Sequence, residues 1–147
     1  MKIQSTILGE VEASESEILT FENGLPGFEN EKNFILLSID GNEVYQILQS
    51  INSKEVGFVT ANPYLFTNDY TIDLDESTVE TLNIESEEDI IVLTIVTVKE
   101  PFNTSTVNLK APVIINTKTK KAKQCILENA AYPIRYAIEA NMQKDKG

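Results

Sequence analysis

The chain of 147 residues has no histidine and no tryptophan, and its one cysteine is Cys125. Without histidine it lacks the usual general base at neutral pH and the commonest zinc ligand. One thiol cannot close a disulfide within the chain, which fits a reducing compartment. The longest apolar run, Ile90 to Val98, has nine residues and includes Thr94 and Thr97. That is half of what a membrane-spanning helix needs. The opening residues Met1-Lys2-Ile3-Gln4-Ser5-Thr6 carry no apolar signal core, so the expectation is a cytoplasmic chain with no membrane association. Positive charge is also scarce, with 12 Lys and Arg against 23 Asp and Glu, for a net charge of −11. A balance of this sign argues against direct nucleic-acid binding.

The acidity is unevenly placed. Residues 1–100 carry 20 acids and 4 lysines, a net of −16, whereas residues 101–147 carry 3 acids and 8 bases, a net of +5. An acidic body repels phosphate and steers basic protein partners toward itself. Charged residues make up 24% of the chain and apolar ones 41%, ordinary for a folded domain of this length.

β-Branched and aromatic runs separated by turn residues predict strands near 2–8, 17–21, 33–39, 43–51, 55–60, 69–74, 90–98, 107–116 and 122–128. Residues 69–74 alternate, with Tyr70, Ile72 and Leu74 on one face and Thr71 and Asp73 on the other. Ile90 to Val98 is apolar on both faces, so it reads as a strand buried on both sides, and Asn33 to Ile39 is similar. Gly24-Leu25-Pro26-Gly27 suits a type II turn, and Asp40-Gly41-Asn42 a hairpin loop. Asp75 can cap one short helix that carries Val79 and Leu82. Many short strands at regular spacing predict a mainly β, antiparallel, barrel-like fold: a partly open, folded-over sheet with one helix. With no repeat and no Gly/Ser linker, one domain is expected over 1–138, followed by a polar, mobile tail over 139–147.

No phosphate loop is present, because the Gly24–Gly27 turn lacks the following Lys and Ser/Thr. Cys125 sits beside Ile126 and Leu127 and reads as an inert, buried thiol. Carboxylates are the one reactive group in supply, in the dense run Glu85, Glu87, Glu88 and Asp89 and the looser run Asp69, Asp73, Asp75 and Glu76. A calcium loop starting at Asp73 fails, with Thr78 where glycine is needed and Ile84 where glutamate is needed. A glycosidase-like carboxylate hydrolase has the acids but no tryptophan platform. A solvated acidic turn, or a surface that attracts a basic partner, needs neither. No cofactor or metal is expected. Lys118, Lys120, Lys121 and Lys123 fall on a hairpin with no aromatic between them and read as a solvated tip. Among surface candidates the proline-aromatic loops stand out: Asn62-Pro63-Tyr64-Leu65-Phe66 and Glu100-Pro101-Phe102. Phe66 and Phe102 are either core plugs or apolar anchors for a partner.

Three ordered blocks carry a resemblance. Phe21-Glu22-Asn23-Gly24-Leu25-Pro26-Gly27-Phe28-Glu29 resembles the N-terminal F-x-x-G-(I/L)-P-G-F segment of the bacterial flagellar assembly factor FliW family. Asn62 to Phe66 with Asp69-Tyr70 resembles its mid-chain segment. Val96 to Lys99 and Asn108-Leu109-Lys110-Ala111-Pro112-Val113-Ile114-Ile115-Asn116 resemble its N-L-x-A-P-(I/V)-x-(I/V)-N block, which a basic hairpin and Gln124 follow. The match runs from about residue 2 to Tyr136. The resemblance implies a small, cytosolic, non-enzymatic β-barrel-like protein with two protein partners, flagellin and the RNA-binding translational regulator CsrA. It implies a switch in which the free protein relieves CsrA repression of flagellin translation until accumulating flagellin draws it away. A monomer is expected when free. Surface chemistry, and not the family, nominates the interface residues. These are Glu85, Glu87, Glu88 and Asp89 toward CsrA, and Asn62, Pro63, Phe66, Pro101 and Phe102 toward flagellin. An acidic module with an unrelated partner is the alternative.

Overall fold

The computed structural model describes residues 1–67, 69–127 and 131–138. The strands are β1 (Lys2–Ser5), β2 (Gly9–Glu12), β3 (Leu19–Phe21), β4 (Asn33–Ile39), β5 (Asn42–Ser50) and β6 (Gly57–Ala61). The helix α1 (Glu76–Thr81) follows, then β7 (Ile90–Thr97), β8 (Thr106–Val107), β9 (Val113–Asn116), β10 (Lys121–Gln124) and β11 (Tyr136–Ala137).

Seven of these strands form a ring in the order β7-β6-β5-β4-β3-β10-β9, closed by the pairing of β9 with β7. The mainly β, barrel-like fold expected from the sequence is therefore present, as a fully closed ring. One pairing in it, β3 with β10, is parallel. Parity explains this, because a ring with an odd number of strands cannot alternate direction all the way round. The ring uses up its sheet edges, which an open sheet would leave exposed to aggregation. Strands β8 and β11 extend from the far half of β7, where Val96 pairs with Val107 and Tyr136 with that same Val107.

Alternation sends every second side chain into the barrel. Leu19, Phe21, Leu25, Phe34, Leu48, Leu93, Val113, Ile115 and Ala122 fill it as one buried cluster. The outward residues are covered too. Ile35, Leu37 and Ile47 lie under the β1–β2 hairpin, against Ile3, Leu8 and Val11. Val96, Val107 and Leu109 lie under an arm that carries Phe66 and Tyr70. This cover is why β4 and much of β7 read as apolar on both faces. The 90–98 run departs at two points: Ile91 in β7 and Val98 just beyond it are exposed.

The Phe21–Glu29 motif closes one barrel mouth. Phe28 N donates to Leu25 O at 2.7 Å, and Gly27 has φ +85°, as a type II turn over Pro26-Gly27 requires. Leu25 is thereby held inside. Phe28 meets Phe58 edge-on at 5.3 Å, Phe58 approaches Phe34, and Phe34 meets Phe21 at 5.2 Å, so aromatic rings run from the surface into the core.

Several local expectations change, and the strands expected over 17–21 and 122–128 shorten to Leu19–Phe21 and Lys121–Gln124. The 2–8 segment is a short strand and a turn, and β2 completes a hairpin that alternation alone did not signal. The 107–116 run is split, because Asn108 Oδ1 accepts from Lys110 N and Ala111 N in a tight turn between β8 and β9. Residues 70–74 form no strand. Their side chains alternate as expected, but among the described residues no neighbouring strand pairs with them. The tail expected over 139–147 lies outside the described residues.

Candidate functional site

Between β7 and α1 the chain runs through the acidic segment. Ser86 caps a single 3-10 turn, Glu87–Asp89, by accepting from Glu88 N. Glu85, Glu87 and Glu88 are exposed, whereas Asp89 is half-buried. The Asp89 backbone carbonyl accepts from Thr117 N at 2.8 Å and from Thr117 Oγ1 at 2.9 Å, which fastens the run to the β9–β10 hairpin. Lys118 Nζ lies 3.8 Å from Asp89 Oδ2, and Lys121 Nζ donates to Asn83 Oδ1 at 2.7 Å. The basic hairpin thus borders the acidic run and offsets one edge of it. Among the described residues no cation lies within ion-pair distance of Glu85, Glu87 or Glu88.

Asn62 Oδ1 accepts from Tyr64 N and caps the 3-10 turn Pro63–Leu65. This geometry sorts the nominated loop residues. Pro63 and Phe66 are buried, the latter in the layer outside the barrel, so the loop's exposed apolar surface belongs to Tyr64 and Leu65. Tyr64 packs edge-on to Tyr70 at 5.7 Å, and Tyr70 packs against Tyr132 at 4.7 Å. Pro101 and Phe102 are exposed, and Phe102 rests edge-on against Tyr45 at 5.4 Å.

A groove of about 1020 Å³ joins parts of these two surfaces. Asn62, Tyr64 and Leu65 line it at one end, and Ile84, Glu87, Ile90 and Ile91 at the other. Glu43 and Asp73 add carboxylates to its rim, and neither Lys nor Arg lines it. Pro101 and Phe102 do not line it, and neither do Glu85, Glu88 or Asp89. Tyr64 and Leu65 belong to the loop put forward as a whole but were not singled out within it, and Ile91 was not put forward at all. Their signal was their placement beside a proline turn and on an over-apolar strand.

Other candidates are structural. Cys125 is buried, within 3.8 Å of Thr78 Oγ1, and burial pushes its thiol up, away from the reactive thiolate. Asp75 caps α1, and hydrogen bonds from Thr78 hold its carboxyl below the ordinary value. Asn116 is buried: its amide donates to Leu82 O and Asn83 O, and its Oδ1 accepts from Lys118 N and Thr119 N. It ties the end of α1 to the hairpin. Among the described residues no three Asp, Glu or Cys side chains come together as a metal-binding group. No helix among them is long and apolar enough to cross a membrane.

These features define a class: a small closed β-barrel with an aromatic-rich interior, whose groove is rimmed by carboxylates and apolar side chains. Residues 2–138 match the family model described as FliW protein. A flagellar assembly factor FliW from Bacillus licheniformis is 45% identical over 138 residues, covering 94% of this chain and 96% of that one. One from Oceanobacillus iheyensis is 42% identical over 145 residues, 99% of each chain, and one from Bacillus subtilis is 40% identical over 138 residues. A crystal structure of a flagellar assembly factor FliW superimposes with a TM-score of 0.88 at 40% identity, covering 94% of this chain and 96% of that one. The chain belongs to the FliW family of flagellar assembly factors.

Proposed function

We propose that this protein is a non-catalytic, cytoplasmic binder of flagellin and of the translational regulator CsrA, coupling flagellin synthesis to export. Family membership over nearly the whole chain is the observation that carries this reading. The surface chemistry supports it. Glu85, Glu87 and Glu88 form an exposed acidic run without paired cations among the described residues, suited to a basic RNA-binding partner. Docked beside such a partner, several clustered carboxylates oppose RNA phosphates, whereas one screened charge does little. Tyr64, Leu65 and Phe102 are exposed apolar side chains on 3-10 turns, suited to flagellin.

The test is direct. The protein is mixed with flagellin monomers and, separately, with CsrA, and complexes are read by size-exclusion chromatography and calorimetry. Complex formation with both supports the proposal, and failure to bind either overturns it. Phe102→Ala is expected to weaken flagellin binding with the fold intact. Full binding by that variant removes Phe102 from the interface.

A further inference from the structure

The segment Thr71-Ile72-Asp73-Leu74 has the side-chain pattern of a strand and, among the described residues, no strand paired with it. Ile72 and Leu74 are half-buried against Ile114 and its neighbours, while Thr71 and Asp73 are exposed. The backbone groups of Ile72, Asp73 and Leu74 make no hydrogen bond to any described residue. Unpaired main chain of this kind is a template for strand addition, because each N–H and C=O needs a partner. The segment lines the groove, so this unpaired main chain is on offer beside it.

The segment is also held in place at both ends. Tyr70 donates from its hydroxyl to Leu109 O, and Thr71 N donates to Tyr132 Oη at 2.8 Å. At the other end Asp75 caps α1 by accepting from Thr78 N at 2.9 Å. Fixing the segment in advance lowers the ordering cost of docking. Thr71, Asp73 and Leu74 face two depressions at once, the groove already described and a second of about 590 Å³ beside Lys123 and Cys125. Space therefore lies alongside the main chain. On the groove side the carboxylates of Glu43, Asp73 and Glu87 have no cation within ion-pair distance among the described residues.

We infer that residues 71–74 are a docking edge for an extended segment of a partner protein, added as a strand, with Lys or Arg side chains meeting Glu43, Asp73 and Glu87. This rests on the reading of the chain as a partner-binding scaffold and names the mode of binding.

Hydrogen–deuterium exchange of the full chain, alone and saturated with flagellin or with CsrA in separate arms, tests it. The amides of Ile72, Asp73 and Leu74 exchange fast in the free protein, and protection of about 100-fold with either partner is the expected result. Asp73→Pro removes one N–H that bonds to no described residue in the free protein. It is expected to weaken that complex by about tenfold, against a few-fold for Asp73→Asn. Binding with these amides unprotected overturns the inference and leaves the scaffold reading intact. This includes a helix lying across the groove, or protection only on self-association. Absence of binding to either protein overturns both. If Asp73→Pro does not fold, the exchange measurement on the unaltered chain still decides.

Discussion

Tyr70 donates its hydroxyl to the backbone carbonyl of Leu109 at 2.6 Å, and both residues are buried. This bond joins the arm at 62–75 to the turn between β8 and β9. Tyr70→Phe leaves the Leu109 carbonyl buried without its partner, which costs about 1–3 kcal/mol. A urea unfolding series on the two proteins checks this, with a lower midpoint at unchanged slope expected.

The same phenol gives a pH signature. Burial first, then Tyr64 and Tyr132, raises the Tyr70 pKa above its ordinary value near 10. The unfolded chain therefore loses this proton near pH 10 while the folded chain keeps it. The stability contribution is intact below that pH and declines as pH rises through and beyond it. Melting curves from pH 8 to pH 11 are expected to fall more steeply for the wild type than for Tyr70→Phe.

Two glycines in one motif separate strain from collision. Gly24 (φ +67°) would place a Cβ 2.6 Å from the Phe28 carbonyl oxygen, whereas Gly27 (φ +85°) has open space. Gly27→Ala is expected to cost about 1–2 kcal/mol for its left-handed backbone alone. Gly24→Ala must also move the main chain at Phe28 and Glu29, so its loss is expected to exceed that of Gly27→Ala. Comparison of the two melting temperatures decides.

Gln49 is a buried fastener. Its Nε2 lies within 3.3 Å of the carbonyls of Ser50, Ser53, Lys54 and Val56, and holds the turn between β5 and β6. Gln49→Glu sets a carboxylate among carbonyl oxygens and is expected to cost about 3–5 kcal/mol, or to fold only with the new acid protonated. A stability profile that improves toward low pH is the signature to seek.

Reversing Glu85, Glu87 and Glu88 to lysine together is expected to leave the melting temperature within a few degrees, since surface substitutions away from structural contacts cost about 0.5 kcal/mol or less. CsrA binding should weaken more than flagellin binding. Equal loss, or loss of flagellin alone, assigns the run elsewhere.

Legibility followed physical cause. Strand β4 was readable residue by residue, because Phe34 to Leu37 are apolar on both faces and both are covered. The cap at Asp75 and the turn at Pro26-Gly27 were readable because their chemistry is local. The parallel seam was not, since the direction in which Thr20 pairs with Lys121 depends on strand count and not on either residue. Residues 70–74 show the limit of alternation, which reports one wet and one dry face but not whether a neighbour exists. At the site, residue type nominated Phe66, but only packing revealed that it faces inward while Tyr64 and Leu65 face out.

The parallel seam has a consequence for biosynthesis. Leu19–Phe21 emerges from the ribosome early, yet its lateral partner is Lys121–Ala122, about a hundred residues later. Until β9 and β10 are translated, β7 and β3 respectively keep a bare flank, so the nascent polypeptide cannot finish its architecture on the fly. Release of the C-terminal quarter is the committing event, and premature termination before Gln124 leaves a sticky, incomplete product rather than a smaller working one.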